Sequence, residues 1–224
     1  MSETTRDPVR LFPLRGTLLL PGTFLPLNVF EARYRALVAD VMQDDRRIGM
    51  IQPSEGDEGS LDVSDPIQPP LYDIGCVGEV TECELQADGR YWIVLKGISR
   101  FRVVEELALD AGGYRRVAVD EDRYEGDRAE LEVDIEVGRL LATAARYCTV
   151  RGLELDIDLL AALPPAQAVN ALCAALPFDA SHKQDLLESP APDSRRDLLE
   201  GLLEMQLNAG GREPSPGWSP PVVN

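Results

Sequence analysis

Residues 75–104 read GCVGEVTECELQADGRYWIVLKGISRFRVV and carry the clearest β signal in the sequence. Two long runs, 75–85 and 91–104, flank Ala87-Asp88-Gly89-Arg90. An Asp-Gly pair between two strand-like runs predicts a tight β-hairpin, because glycine takes the positive φ that such a turn needs. The apolar phase shifts between Val80 and Cys83 and again between Leu95 and Phe101. A phase change within a strand implies a bulge, and bulges curl a sheet towards a barrel. Gly75 and Gly78 lie inside the first run. Close backbone approach or a bulge explains them better than a cofactor loop does.

Upstream of the hairpin, Leu11, Phe12 and Leu14 and then residues 17–20 form short apolar runs, closed by the turn signal Pro21-Gly22. Residues 24–30 form another run, and Pro26 within it points to an edge or a strand end. Phe30, Tyr34, Leu37, Val38, Val41 and Met42 recur with helical period and predict one amphipathic helix. Residues 48–51 read as a buried strand, and residues 53–70, rich in Pro, Gly, Ser and acids, as a long surface loop. Downstream, residues 114–119 add a strand. From Asp127 the period turns helical, with Leu131, Ile135, Gly138, Leu141, Ala142 and Ala145 on one face. A short helix follows over 155–163, then one with Pro165 in its first turn. Asp179 is placed to cap a helix running to about Glu188. Leu198, Leu199, Leu202 and Leu203 mark the last helix, and residues 209–224 read as a disordered Gly/Pro-rich tail. The expected class is α+β: a β-rich barrel with one early helix over residues 8–126, then a helical bundle over 127–208.

The 22 Lys/Arg and 39 Asp/Glu give a formal charge of −17, which repels phosphate backbones and anionic membrane surfaces alike. No run reaches the ~18 apolar residues of a membrane span, and residues 1–7 are too polar for a signal core. Cys76, Cys83, Cys148 and Cys173 form no CxxC pair and read as buried free thiols, which fits a cytoplasmic protein.

The residues of the common catalytic chemistries are missing. His182 is the only histidine; standing next to Ser181 it has no third group to complete a triad, and it reads as a surface residue. One histidine with scattered cysteines does not make a zinc site, and no phosphate-cradling GxxxxGK[ST] loop occurs. Lys96 and Lys183 are the only lysines. Ser99 follows Lys96 by three residues, which at strand spacing puts the two side chains on opposite faces. Acidic pairs such as Asp156/Asp158 are what 39 acids produce by chance on a solvated surface. No catalytic, cofactor or metal residue is therefore assigned.

The blocks Leu11-Phe12-Pro13-Leu14-Arg15, Leu18-Leu19-Leu20-Pro21-Gly22 and Leu25-Pro26-Leu27-Asn28-Val29-Phe30-Glu31 resemble the start of the N-terminal, substrate-binding domain of the ATP-dependent protease Lon. Tyr72-Asp73-Ile74-Gly75-Cys76-Val77-Gly78-Glu79-Val80 and Leu95-Lys96-Gly97-Ile98-Ser99-Arg100-Phe101-Arg102-Val103 look like the same family, in the same order. Leu176-Pro177-Phe178-Asp179 with Lys183-Gln184-Asp185-Leu186-Leu187-Glu188 extends the likeness to about Asn208 and to stand-alone bacterial versions of the domain. The resemblance implies a PUA-like β-barrel with an appended helical bundle. Lon proteases continue into an ATPase module and a Ser–Lys peptidase domain, for which this sequence has no residues, so a non-catalytic, free-standing recognition module is expected.

Three functions follow as expectations. The first is an adaptor that binds unfolded or exposed apolar polypeptide segments, with a protease as a further partner. Its candidate binding residues lie between barrel and bundle: Phe24, Tyr72, Tyr91 and Trp92. The commoner role for such aromatics is to fill a core, and the sequence leaves that alternative open. The second is RNA binding, since PUA-like barrels elsewhere bind RNA; the charge argues against it unless Arg100, Arg102, Arg115 and Arg116 gather into a basic patch. The third is hydrolysis, for which nucleophile and base are lacking.

Overall fold

The computed structural model describes residues 8–54 and 69–209. Most of the 53–70 excursion and nearly all of the 209–224 segment therefore lie outside the described residues. Six strands are formed: β1 (Val9–Pro13), β2 (Phe24–Val29), β3 (Arg47–Ile51), β4 (Ile74–Leu85), β5 (Tyr91–Glu106) and β6 (Arg116–Asp120). The early helix α1 spans Ala32–Val41 and buries Tyr34, Leu37, Val38 and Val41, the stripe its period predicts.

The long hairpin β4–β5 organises the sheet. Its register shifts twice, between Val77 and Gly78 and between Val80 and Glu82. At the first shift Val77 faces Ser99 while Gly78 faces Gly97, so Ile98 is the extra residue. Both bulges fall where the apolar phase breaks in the sequence. β4 pairs with β3, β3 runs parallel to β1, β1 pairs with β6, and β6 returns to β5. The pairings of these five strands thus form a circuit, and each contributes to one apolar cluster: Val9, Leu11, Ile51, Val77, Phe101 and Val117. Gly75 is small because Phe101 fills the space beside it; a Cβ there would lie 2.5 Å from the ring. β2 stands outside the circuit and pairs only with β5 among the described residues.

The helical part differs from expectation at its start. The continuous helix expected from Asp127 is split into one turn, α2 (Asp127–Glu130), and a separate α3 (Gly138–Arg151). Residues 131–137 read LEVDIEV, alternating acids with β-branched residues of low helix propensity. Propensity and the buried anchor Ile135 prevail there over the apolar period. The rest follows the sequence: α4 (Ile157–Ala161), α5 (Pro165–Ala175) with proline in its first turn, α6 (Ala180–Glu188) and α7 (Pro192–Asn208). Asp179 caps α6 by accepting a 2.9 Å hydrogen bond from the His182 backbone N–H.

One core cluster runs from the strands into the helices. It joins Leu20, Leu37, Ile48, Val80 and Leu95 to Leu140, Tyr147, Leu172, Leu186, Leu199 and Leu203. Cys76, Cys148 and Cys173 are buried free thiols, whereas Cys83 is half-buried. Burial pushes the Cys76 thiol up and the Cys173 thiol up to about 12, so neither is a ready nucleophile near neutral pH.

Candidate functional site

The Leu18-Leu19-Leu20-Pro21-Gly22 block forms a loop clamped between sheet and bundle. Thr23 Oγ1 donates to the Leu20 carbonyl at 2.8 Å and accepts from the Leu20 N–H at 3.1 Å. Gly22 closes the turn at a φ of +77° and donates its N–H to Gly97 at 2.9 Å. Gly97 lets the loop approach β5; a Cβ there would lie 2.0 Å from the Leu20 carbonyl oxygen. From the other side, Asn170 of α5 donates to the Pro21 carbonyl at 2.9 Å and accepts from the buried guanidinium of Arg195 at 2.9 Å. Arg195 itself holds the Leu186 and Ser189 carbonyls.

A second buried network fixes the seam. Arg100 in β5 pairs with Asp127, Nη2 to Oδ1 at 2.7 Å, and Asp127 also accepts from the Arg100 backbone N–H at 2.7 Å. The same guanidinium donates to the Ser189 carbonyl at 2.6 Å. Gln52 and Gln184 meet at 3.2 Å, and Gln184 reaches back to the Ile74 carbonyl of β4 at 3.1 Å. These bonds satisfy polar groups that the joining of the two halves removes from water.

Between the clamped loop, the outer strand and the bundle lies a cleft of about 420 Å³. Its walls are mainly apolar: Leu18, Leu25, Leu27, Leu163 and Ala171 among them, with Phe24 at 60% exposure. That volume is inside the ~300–1,000 Å³ range of ligand pockets. Phe24, Leu25, Pro26 and Leu27 all line it. Consecutive strand residues point to opposite faces, so the cleft abuts the edge of β2. Gly97 donates to the Thr23 carbonyl at 2.9 Å, which sets the alternation. Leu25, Leu27 and Val29 turn their backbone polar groups to β5, while Phe24, Pro26 and Asn28 turn theirs away. Pro26 thus lacks its N–H on the unpaired side, as an edge strand requires. Lys183 of α6 also lines the cleft, although only 2% exposed. Its ammonium donates to the Ala174 carbonyl at 3.3 Å, and burial lowers its pKa to about 8.

The four aromatics named from sequence are not gathered in one place. Phe24 lines the cleft, with the Lys96 ammonium 5.9 Å from its ring centroid. Tyr91 and Trp92 are half-buried in β5 opposite Val29 and Asn28, farther along the same outer pair. Tyr72 lines a different, shallower hollow with Asp73, Arg102 and Glu188. The residues that sequence reading missed are Lys183, Asn170 and Arg195. Lys183 did carry a signal: at helical spacing it shares the apolar stripe of Leu186 and Leu187.

The four arginines considered for RNA do not form a basic patch. Arg100 pairs with Asp127, Arg115 with Glu106 at 2.6 Å, Arg102 with Asp73 at 3.2 Å and Arg116 with Asp110 at 3.7 Å. A second cavity of about 460 Å³ contains Arg47, Ser99, Glu121, Tyr124 and Arg128 but has neither histidine nor lysine on its walls. His182 Nδ1 lies 2.9 Å from its own helix cap, Asp179. Among the described residues no three His, Cys, Asp or Glu stand close enough to hold a metal ion. No helix among them is long and apolar enough to cross a membrane.

Comparison with known proteins agrees with this architecture. The family described as the ATP-dependent protease La (LON) substrate-binding domain matches residues 8–205. Lon protease 2 of Myxococcus xanthus is 29% identical over 203 residues, which are 86% of this chain and 23% of that protein. Lon protease of Anaeromyxobacter dehalogenans is 27% identical over 201 residues, 86% of this chain and 22% of that protein. The chain therefore spans less than a quarter of the length of these curated relatives. Among solved structures, a Lon N-terminal domain protein from Xanthomonas campestris is similar in fold, with a TM-score of 0.60 at 24% identity over 89% of this chain and 98% of that one. The N-terminal domain of a Mycobacterium avium complex Lon protease gives 0.56 at 18% identity over 88% and 98%.

Proposed function

The chain belongs to the LON substrate-binding domain family, and on that premise we propose that it is a non-catalytic module that recognises unfolded or exposed apolar polypeptide, with the cleft beside β2 as its docking site. The observation that carries this reading is the cleft itself. It sets an apolar trough against a strand edge that is unpaired among the described residues. An extended peptide laid there gains main-chain hydrogen bonds from Phe24 and Asn28 and seats side chains among Leu18, Leu25 and Leu163. Phe24 is the one of the four proposed aromatics placed to meet it; Tyr72, Tyr91 and Trp92 would extend the surface only for a longer segment. In this reading the five-strand circuit is the PUA-like barrel of residues 8–126, the helices of 127–208 form one wall of the site, and the protein acts in the cytoplasm as an adaptor presenting clients to a protease.

The paired arginines give RNA binding no support, and the polar cavity gives hydrolysis none. The test is fluorescence anisotropy with labelled, reduced and carboxymethylated α-lactalbumin. The parent protein should bind it. Ala171→Trp, which fills the cleft, should weaken binding at least tenfold at unchanged melting temperature. Phe24→Ser should weaken it by roughly 30-fold if about 2 kcal/mol of apolar burial is lost. Binding by the Trp variant equal to that of the parent, or no binding by the parent, overturns the proposal.

A further inference from the structure

Lys183 is out of place for a purely structural residue. The chain has 39 acids and only two lysines, yet this lysine is buried with no carboxylate partner among the described residues. Its hydrogen bond to Ala174 is long, and among the described residues no acidic side chain lines the cleft it borders. Among the described residues it makes no ion pair. Among the described titratable groups the Cys173 thiol acts on it, and that thiol is itself held neutral by burial. A buried ammonium with unused donors is costly unless something completes its shell. The surrounding walls, Leu18, Leu25, Leu163, Ala171 and Ala175, are apolar.

We propose that Lys183 anchors the free α-carboxylate of a polypeptide whose last residue is apolar, so that the cleft reads chain ends rather than interior segments alone. The inference rests on the polypeptide-recognition reading above and narrows its ligand. Two requirements select this ligand. The ammonium calls for a carboxylate, and the walls around it call for an apolar side chain. A C-terminal residue brings both on one Cα. An internal Asp or Glu brings the carboxylate but leaves the walls unfilled. The charge of −17 disfavours capture of carboxylates over the surface at large. Backbone groups on the edge of β2 then hold the preceding residues of the chain.

The probes are three fluorescein-labelled nonapeptides measured by anisotropy: GSGSGSAVL as free acid, the same peptide as C-terminal amide, and GSGSGSADL as amide. The free acid should bind at least tenfold tighter than either amide. Lys183→Met, which keeps the bulk of the side chain, should abolish that preference. A second measurement needs no variant. With 13C-labelled lysine only two Cε signals exist, and the free acid, but not the amides, should move the titration midpoint of Lys183 up from about 8. Equal binding of acid and amide, an acid preference that survives Lys183→Met, or an Asp amide as tight as the free acid overturns the inference. Its failure is separable from that of the wider proposal. If α-lactalbumin binds and Ala171→Trp releases it while acid and amide remain equal, only the chain-end specificity falls. If Ala171→Trp leaves α-lactalbumin binding unchanged, both fall.

Discussion

Asp127→Ala tests whether the buried Arg100–Asp127 pair holds the helices on the strands. Both side chains are almost wholly buried, at 4% and 2% exposure. Asp127 accepts both from the Arg100 guanidinium and from its backbone N–H, so the variant leaves a buried charge facing carbonyls, the Tyr124 ring at 4.8 Å and the more distant Glu130 carboxylate at 3.6 Å. Removing one partner of a buried pair costs about 3–5 kcal/mol, because the remaining charge stays desolvated. For a domain of this size 1 kcal/mol lowers the melting temperature by roughly 2–4 °C, so the fall should be roughly 6–20 °C. Thermal and urea unfolding followed by circular dichroism measures it. The double variant Arg100→Met/Asp127→Leu removes both charges and should recover about half of the loss, the rest reflecting the Leu187 carbonyl that loses its Arg100 donor and the residue-100 backbone N–H that loses its Asp127 acceptor, while the Ser189 carbonyl keeps its bond from Arg195. A loss under about 1 kcal/mol for Asp127→Ala, or a double variant no more stable than the single one, would refute the assignment.

Gly97→Ala should destabilise by more than about 2 kcal/mol, since its Cβ would meet the Leu20 backbone and not a flexible side chain; chemical denaturation reads this directly. Phe24→Ser, at an exposed position, should change stability by less than about 0.5 kcal/mol while weakening polypeptide binding, a separation that a core role for Phe24 would not produce. Lys183→Met has a pH signature. The folded pKa of about 8 lies below the ordinary 10.5, so the folded state disfavours the proton; the penalty is fully present below about pH 8 and relieved as pH rises towards 10.5. The variant should therefore exceed the parent by about 3 kcal/mol at pH 7, and the difference should shrink between pH 8 and 10.5 in urea melts.

Local chemistry carried most of the fold. The Asp88-Gly89 turn, the phase breaks at 80–83 and 95–101, the edge signal of Pro26 and the Asp179 cap each act within a few residues, and the structure keeps all of them. The helix expected from Asp127 failed where a run of acids and β-branched residues opposed the period, a conflict that the period alone does not register.

The site was legible only in pieces. Phe24 and the Leu18-Leu19-Leu20-Pro21-Gly22 loop stood out in the sequence, but the cleft exists because Asn170 and Arg195, about 150 and 175 positions downstream of that loop, hold α5 and α6 against it. The four arginines looked like a possible patch until distant carboxylates neutralised them. Side-chain period determines which face of an element is apolar, and turn residues determine where an element ends; both are written in neighbouring residues. Whether a charge is paired, and whether a lysine on an apolar stripe reaches water, depends on which remote element packs over it. Neighbouring residues were enough to give the family and every strand and α-helix but the one expected from Asp127, which divides into α2 and α3; the cleft, its buried ammonium and the pairing of those arginines arise only when remote elements pack together.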